Sequence, residues 1–219
     1  MATLESSAGG MQPRTLTLDA DGLNPALVSL VDRVEQHDMY TGGHSRRVAW
    51  YAGRLAHLIG LADHAAGVAR RTGLVHDIGK MIVPEHVLCK KGRLTDRELE
   101  LMRLHPVLGA NILSRMPGMD ELAPGVLHHH ERWDGAGYPR GLVGPAIPVA
   151  ARLIFVVDAF DAMTTNRPYG EVLSEEEAMA EIERCSGSQF DPELVLAMRV
   201  ALEEGLLVQQ AAAPDQIPA

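Results

Sequence analysis

Seven side chains of metal-ligand type are scattered along this chain on segments that otherwise read as apolar helix faces. They are His44, the adjacent pair His76-Asp77, His105, the adjacent pair His129-His130, and Asp158. The His76-Asp77 pair opens the run His76-Asp77-Ile78-Gly79-Lys80, which offers two ligands of different hardness and a positive charge at helical reach. Taken singly, each has a plain structural reading. His44 and His105 suit helix caps or junctions, His128 a solvated neighbour, and Asp158 a buried acid bonded to a helix end. Together they favour a metal site. Adjacent helical side chains diverge by about a quarter turn, so His129 and His130 reach one site only near a helix end or around two metals.

The periodicity of the remaining residues predicts helices. Aromatics make up 4% of a chain that is 46% hydrophobic, with Leu, Ala, Val and Met dominant, which suits packed helices better than a sandwich or barrel. At 219 residues the length suits one domain with loose ends. A net charge of −9 argues against sequence-independent binding to DNA. Only Cys89 and Cys185 are present, without Cys-x-x-Cys spacing, so neither a disulfide framework nor a thiolate zinc site is expected, and a reducing cytoplasm is the simple reading. No signal peptide or membrane-spanning run is evident, and a soluble protein with no membrane partner is expected.

In chain order, residues 1–22 read as a flexible leader, 23–206 as the domain and 207–219 as a flexible tail. Leu27, Leu30, Val31 and Val34 share one helical face and run into a glycine turn before His44. Val48, Tyr51, Leu55, Leu58 and Ile59 form the next stripe, with Gly60 as its stop. A helix from about Asp63, carrying Ala65, Ala66, Ala69 and Gly73, is expected to hold His76 and Asp77 in its C-terminal part. Pro84 to Gly92 reads as a loop. Thr95 to Glu98 is a capping box, and Pro106 is placed to open a helix just after His105. A helix from about Asp120 leads to His128-His129-His130-Glu131, followed by a tight loop from Trp133 to Gly141. Pro148 opens a helix that carries Asp158 on an apolar stripe, with a buried strand over Leu153 to Val157 as the weaker alternative. Ser174 to Glu177 and Asp191-Pro192 cap the last two helices.

Histidine with aspartate supplies the donor mixture for two divalent cations sharing a bridging carboxylate, an arrangement suited to in-line attack on phosphorus. The imidazole-rich set leans toward iron or manganese over magnesium. His37, His57, His64 and His86 have no such company and read as surface residues.

The run His76 to Lys80, the run His129-His130-Glu131-Arg132-Trp133-Asp134-Gly135-x-Gly137-Tyr138-Pro139, and Asp158-Ala159-Phe160-Asp161-Ala162-Met163 with Arg167-Pro168-Tyr169 resemble the HD-GYP family of bacterial cyclic di-GMP phosphodiesterases, within the HD metal-dependent phosphohydrolases. The match runs from about Asp38 to Pro192. It implies an all-α HD-domain bundle with a buried metal site and an irregular GYP loop, and hydrolysis of cyclic di-GMP to pGpG and onward to GMP. The ligands it implies are His44, His76, Asp77, His105, His129, His130 and Asp158, with Asp77 bridging. Asp77 and Lys80 would be catalytic, and Lys80, Tyr138 and Arg167 would contact substrate. Where some members carry a glutamate that binds a third metal, this chain has Tyr40, so two metals are expected. Gly170 follows Tyr169 where a basic residue is common in the family, which points to altered affinity or base preference.

Regulation would come from a sensory or receiver partner, since none fits within the short leader, or the chain is a stand-alone catalytic unit. Two rival readings remain open: an HD hydrolase for another nucleotide, and a non-catalytic adaptor that binds partners such as diguanylate cyclases.

Overall fold

The computed structural model describes residue 23 and residues 25–37, 43–165 and 172–207. Among the described residues ten α-helices follow one another: α1 (Pro25–His37), α2 (His44–Leu58), α3 (Asp63–Val75), α4 (Glu85–Leu88), α5 (Asp96–Met102), α6 (His105–Leu113), α7 (Ala123–His128), α8 (Val149–Thr164), α9 (Glu175–Arg184) and α10 (Pro192–Glu203). Short 3₁₀ turns occupy Ile78–Ile82, Asp120–Leu122 and Gly144–Ala146. No strand occurs among the described residues, and residues 153–157 are helix. Tyr40, Arg167 and Gly170 lie outside the described residues.

Sequence signals set many of the boundaries. The Thr95 and Ser174 capping boxes are both formed, each hydroxyl accepting from the backbone N–H of the glutamate three residues on. Asp191 caps α10, with Pro192 in its first turn. Gly60 takes a positive φ of 79° just past α2. The small-residue face of α3 lies against α2, with Gly73 directly beneath Ala49. Two expectations are corrected. His76 and Asp77 lie just past α3 rather than inside it, because the chain turns at Asp77 (φ −94°, ψ 5°) into the 3₁₀ turn. The stretch read as a loop from Pro84 to Gly92 contains α4, a single helical turn anchored by buried Val87.

Among the described residues two apolar clusters hold the bundle. One joins α2, α3, α8, α9 and α10 around Leu55, Leu153, Val157, Phe160, Met179 and Met198, and includes Leu207. The other joins α1, α2, α3, α6 and α7 through Leu27, Val31, Ala49, Val75, Ile78, Leu113 and Val126. Helix α8 is central, meeting α2, α3, α7, α9 and α10. Among the described residues no helix is long and apolar enough to cross a membrane.

Candidate functional site

The sequence-selected histidines and aspartates converge because helix ends meet. His44 is the first residue of α2, His76 and Asp77 follow α3, His105 opens α6, and His129 and His130 leave the end of α7. Asp158 projects from the middle of α8. A helix end gives three of the imidazoles a local anchor. The Nδ1 atoms of His76, His105 and His129 face the backbone carbonyls of Gly73 at 2.7 Å, Met102 at 2.8 Å and Val126 at 2.6 Å. In the neutral ring Nδ1 therefore carries the proton and Nε2 presents its lone pair inward.

His44, His76 and Asp77 form one group whose ligand atoms lie within 4.8 Å of one another, and His105, His129 and His130 form another. Asp77 stands between them: its Oδ1 is 3.3 Å from His105 Nε2, and its Oδ2 is 3.4 Å from His76 Nε2. Asp158 Oδ1 is 3.3 Å from His44 Nε2. The donor set fits divalent metal ions. The Nε2 atoms of His105 and His129 are 3.2 Å apart. Two neutral rings facing through lone pairs at that distance repel, and a cation bound by both converts the repulsion into coordination. Neutral imidazole with carboxylate is also the ligand mixture that iron, manganese and zinc accept.

Electrostatics divide the cluster. Burial, with the neighbouring imidazoles, holds His129 well below the usual histidine value and His130 at about 4; burial likewise lowers His105. These three are neutral at physiological pH. Burial opposes charge on His44, yet hydrogen bonds to Asp158 and Asp161 win and push it up to about 10. Burial would raise Asp77, but Lys80 and the surrounding histidines hold it well below the carboxylate range. Lys80 Nζ lies 2.7 Å from Asp77 Oδ2, so the lysine is drawn onto the central carboxylate from the 3₁₀ turn. A Cβ at Gly79 would sit 1.9 Å from the His105 carbonyl oxygen, so only glycine lets this turn press against the start of α6.

Tyr138 stacks on His130, with ring centroids 4.9 Å apart and planes at 23°, and its N–H donates to the His130 carbonyl at 3.2 Å. Arg103 lies over the same ring at 5.4 Å. Burial, aided by the Asp77 charge, pushes the Tyr138 phenol up to about 12, so it remains a donor at neutral pH. Gly137 packs against the backbone of residues 130–132, where a Cβ would meet Arg132 N at 2.2 Å.

Three supporting carboxylates carried no role in the sequence reading. Asp161, one turn beyond Asp158, lies 2.7 Å from His44 Nδ1 and accepts from Arg47 Nε at 2.6 Å and Nη2 at 3.0 Å. Its three-residue spacing from Asp158 was the available signal. Glu35 of α1 accepts from the N–H groups of Gly43 and Ser45, capping α2 from a distance. Buried Glu131 accepts from the N–H groups of Arg140 at 2.7 Å and Leu142 at 3.1 Å, folding the loop back on itself. His128 faces Glu131 rather than the cluster, and His57, His64 and His86 are exposed away from it.

The HD domain family matches residues 29–194. A protein of Thermotoga maritima named cyclic di-GMP phosphodiesterase is 43% identical over 165 residues, 74% of this chain and 45% of that protein. A Vibrio cholerae protein named 3′3′-cGAMP-specific phosphodiesterase 2 is 36% identical over 192 residues, 85% of this chain and 36% of that protein. The chain thus spans less than half the length of these curated relatives. The solved structure of a cyclic GMP-AMP specific phosphodiesterase of V. cholerae shares the fold, with a TM-score of 0.63 at 20% identity over 83% of this chain and 49% of that one. With these matches and the motifs from His76 to Pro139 gathered at one site, the chain belongs to the HD domain family, in its HD-GYP branch.

Proposed function

We propose that the chain is a metal-dependent phosphodiesterase that hydrolyses cyclic di-GMP to pGpG and onward to GMP. The observation that carries this reading is Asp77, poised between two imidazole groups with Lys80 against it. His44, His76, Asp77, His105, His129, His130 and Asp158 would hold two divalent cations, iron or manganese, with Asp77 shared. Bound there, the cations would neutralise phosphate charge and lower the pKa of water for attack on phosphorus. Lys80 supplies a positive charge where negative charge grows in the transition state. Tyr138 offers a protonated hydroxyl and a stacking face to the dinucleotide, and Arg167 a further cation. Asp161 orients His44, and Glu131 fixes the loop that carries Tyr138.

The reading assigns residues 23–206 to the catalytic domain, flanked by a leader (1–22) and a tail (207–219), acting in the cytoplasm with sensory, receiver or diguanylate cyclase partners. The names of the T. maritima and V. cholerae relatives support a cyclic dinucleotide substrate. The name of the second favours 3′3′-cGAMP as an alternative.

The test is anaerobic loading with iron(II) or manganese(II), metal analysis, and chromatography after incubation with each dinucleotide. About two metals per chain, with pGpG or GMP appearing from cyclic di-GMP, is the expected result. Exclusive cleavage of 3′3′-cGAMP would transfer the assignment to the alternative, and a chain that takes up no metal would be an adaptor.

A further inference from the structure

Beside the metal-ligand cluster runs a cleft of about 270 Å³ between α1 and the segment that follows the 3₁₀ turn. Val34, Val83 and Leu88 give it apolar walls, and Lys80 closes one side. Through Lys80, whose Nζ is 2.7 Å from Asp77 Oδ2, the cleft adjoins the proposed reaction centre. Arg33 and Glu85 also line it. Both are exposed. An apolar slot with a few converging polar groups is the usual build of a small-ligand site.

We propose that this cleft holds one guanine base of the substrate, with Glu85 accepting from N1–H and the N2 amino group and Arg33 donating to O6 and N7. This rests on the cyclic dinucleotide reading above and adds the residues that choose the base. The apolar walls take the flat faces of the ring. The two charged groups at its rim match the two edges of guanine that carry donors and acceptors respectively. Adenine turns an unprotonated N1 toward the carboxylate and an amino group toward the guanidinium, so both contacts become repulsive. Adenine therefore forgoes both pairs of hydrogen bonds that guanine makes at this rim. Lys80, at the boundary, meets the scissile phosphate attached to this nucleotide.

The experiment titrates GMP and AMP calorimetrically into the metal-loaded chain and, in parallel, follows turnover of cyclic di-GMP, 3′3′-cGAMP and cyclic di-AMP. The wild type is expected to favour GMP over AMP. Arg33→Ala and Glu85→Ala should each weaken GMP binding about ten-fold and leave AMP binding unchanged, while KM for cyclic di-GMP rises and kcat holds. Glu85→Gln, whose amide can donate to adenine N1, should narrow the GMP-over-AMP ratio. Both positions are exposed, and circular dichroism checks that the variants keep the helical fold. Equal GMP and AMP binding by the wild type, or GMP binding that survives both alanine variants, overturns the guanine site. If cyclic di-GMP is cleaved while the variants change nothing, the base-site inference alone falls. If no dinucleotide is cleaved while GMP binding still depends on Arg33 and Glu85, the phosphodiesterase reading falls and the guanine site stands.

Discussion

Asp161 illustrates how a side chain that would touch neither metal nor substrate governs one that would. Its carboxylate lies against His44 Nδ1 and is itself gripped by Arg47, which fixes both the tautomer and the tilt of the imidazole. Asp161→Asn should keep the helical fold and lower metal affinity about 10- to 100-fold, read by metal titration, because the amide can neither hold the Nδ1 proton as strongly nor pair with Arg47. Unchanged affinity would make Asp161 a packing residue. Lys80 acts on charge rather than geometry. Lys80→Ala is expected to cut kcat about 10²-fold in steady-state assays, on the scale of one preorganised donor, while Asp77→Ala should abolish turnover with the helices intact.

Short elements position the site, and the 3₁₀ turn at Ile78–Ile82 is the most constrained of them. It carries Lys80 and packs against the start of α6 so closely that Gly79 meets the carbonyl of His105 and the N–H of Gly109. Gly79→Ala must move backbone rather than a flexible side chain, so a loss of at least ~2 kcal/mol is expected in urea melts, accompanied by weaker metal binding because His105 moves with its carbonyl. Thr95→Ala, which removes the α5 cap far from the cluster, provides the comparison: about 1 kcal/mol of stability and no change in metal affinity.

For the whole molecule, the cluster sets how stability depends on pH when metal is stripped away. His105, His129 and His130 have folded values below the ordinary histidine value, so the unfolded chain binds their protons more readily and stability falls as pH drops below ~6.5. Asp77, Asp158 and Asp161, held low in the folded chain, keep their contribution above the ordinary carboxylate range, near pH 4, and lose it as pH falls through their folded values. His44 runs the opposite way. Raised to about 10, it contributes fully below the ordinary histidine value and loses that contribution as pH rises toward about 10. Urea midpoints of chelator-treated protein should therefore peak near neutral pH, and a flat profile between pH 5 and 7 would contradict the burial of neutral imidazoles. Restoring iron or manganese should raise the midpoint, since a ligand bound only by the folded state stabilises it.

The sequence by itself determined the helical class, several of the caps, and the residues to watch. Apolar spacing, the Thr95 and Ser174 boxes and the prolines at 106, 148 and 192 act over a few residues, where local hydrogen bonding and φ restriction decide the outcome. His44, His76, Asp77, His105, His129, His130 and Asp158 were legible because the number of ligand types, and then their motifs, made coincidence a poor account of them. Tertiary structure alone decided how they meet. The turn that takes His76 and Asp77 out of α3, the reach of Glu35 from α1 to the start of α2, the grip of Asp161 on His44 and the cleft shared by Arg33 and Glu85 all join residues from separate segments or depend on packing against them. Such contacts depend on which helix faces which, and that is set by the combined packing of two apolar cores rather than by any local run of residues.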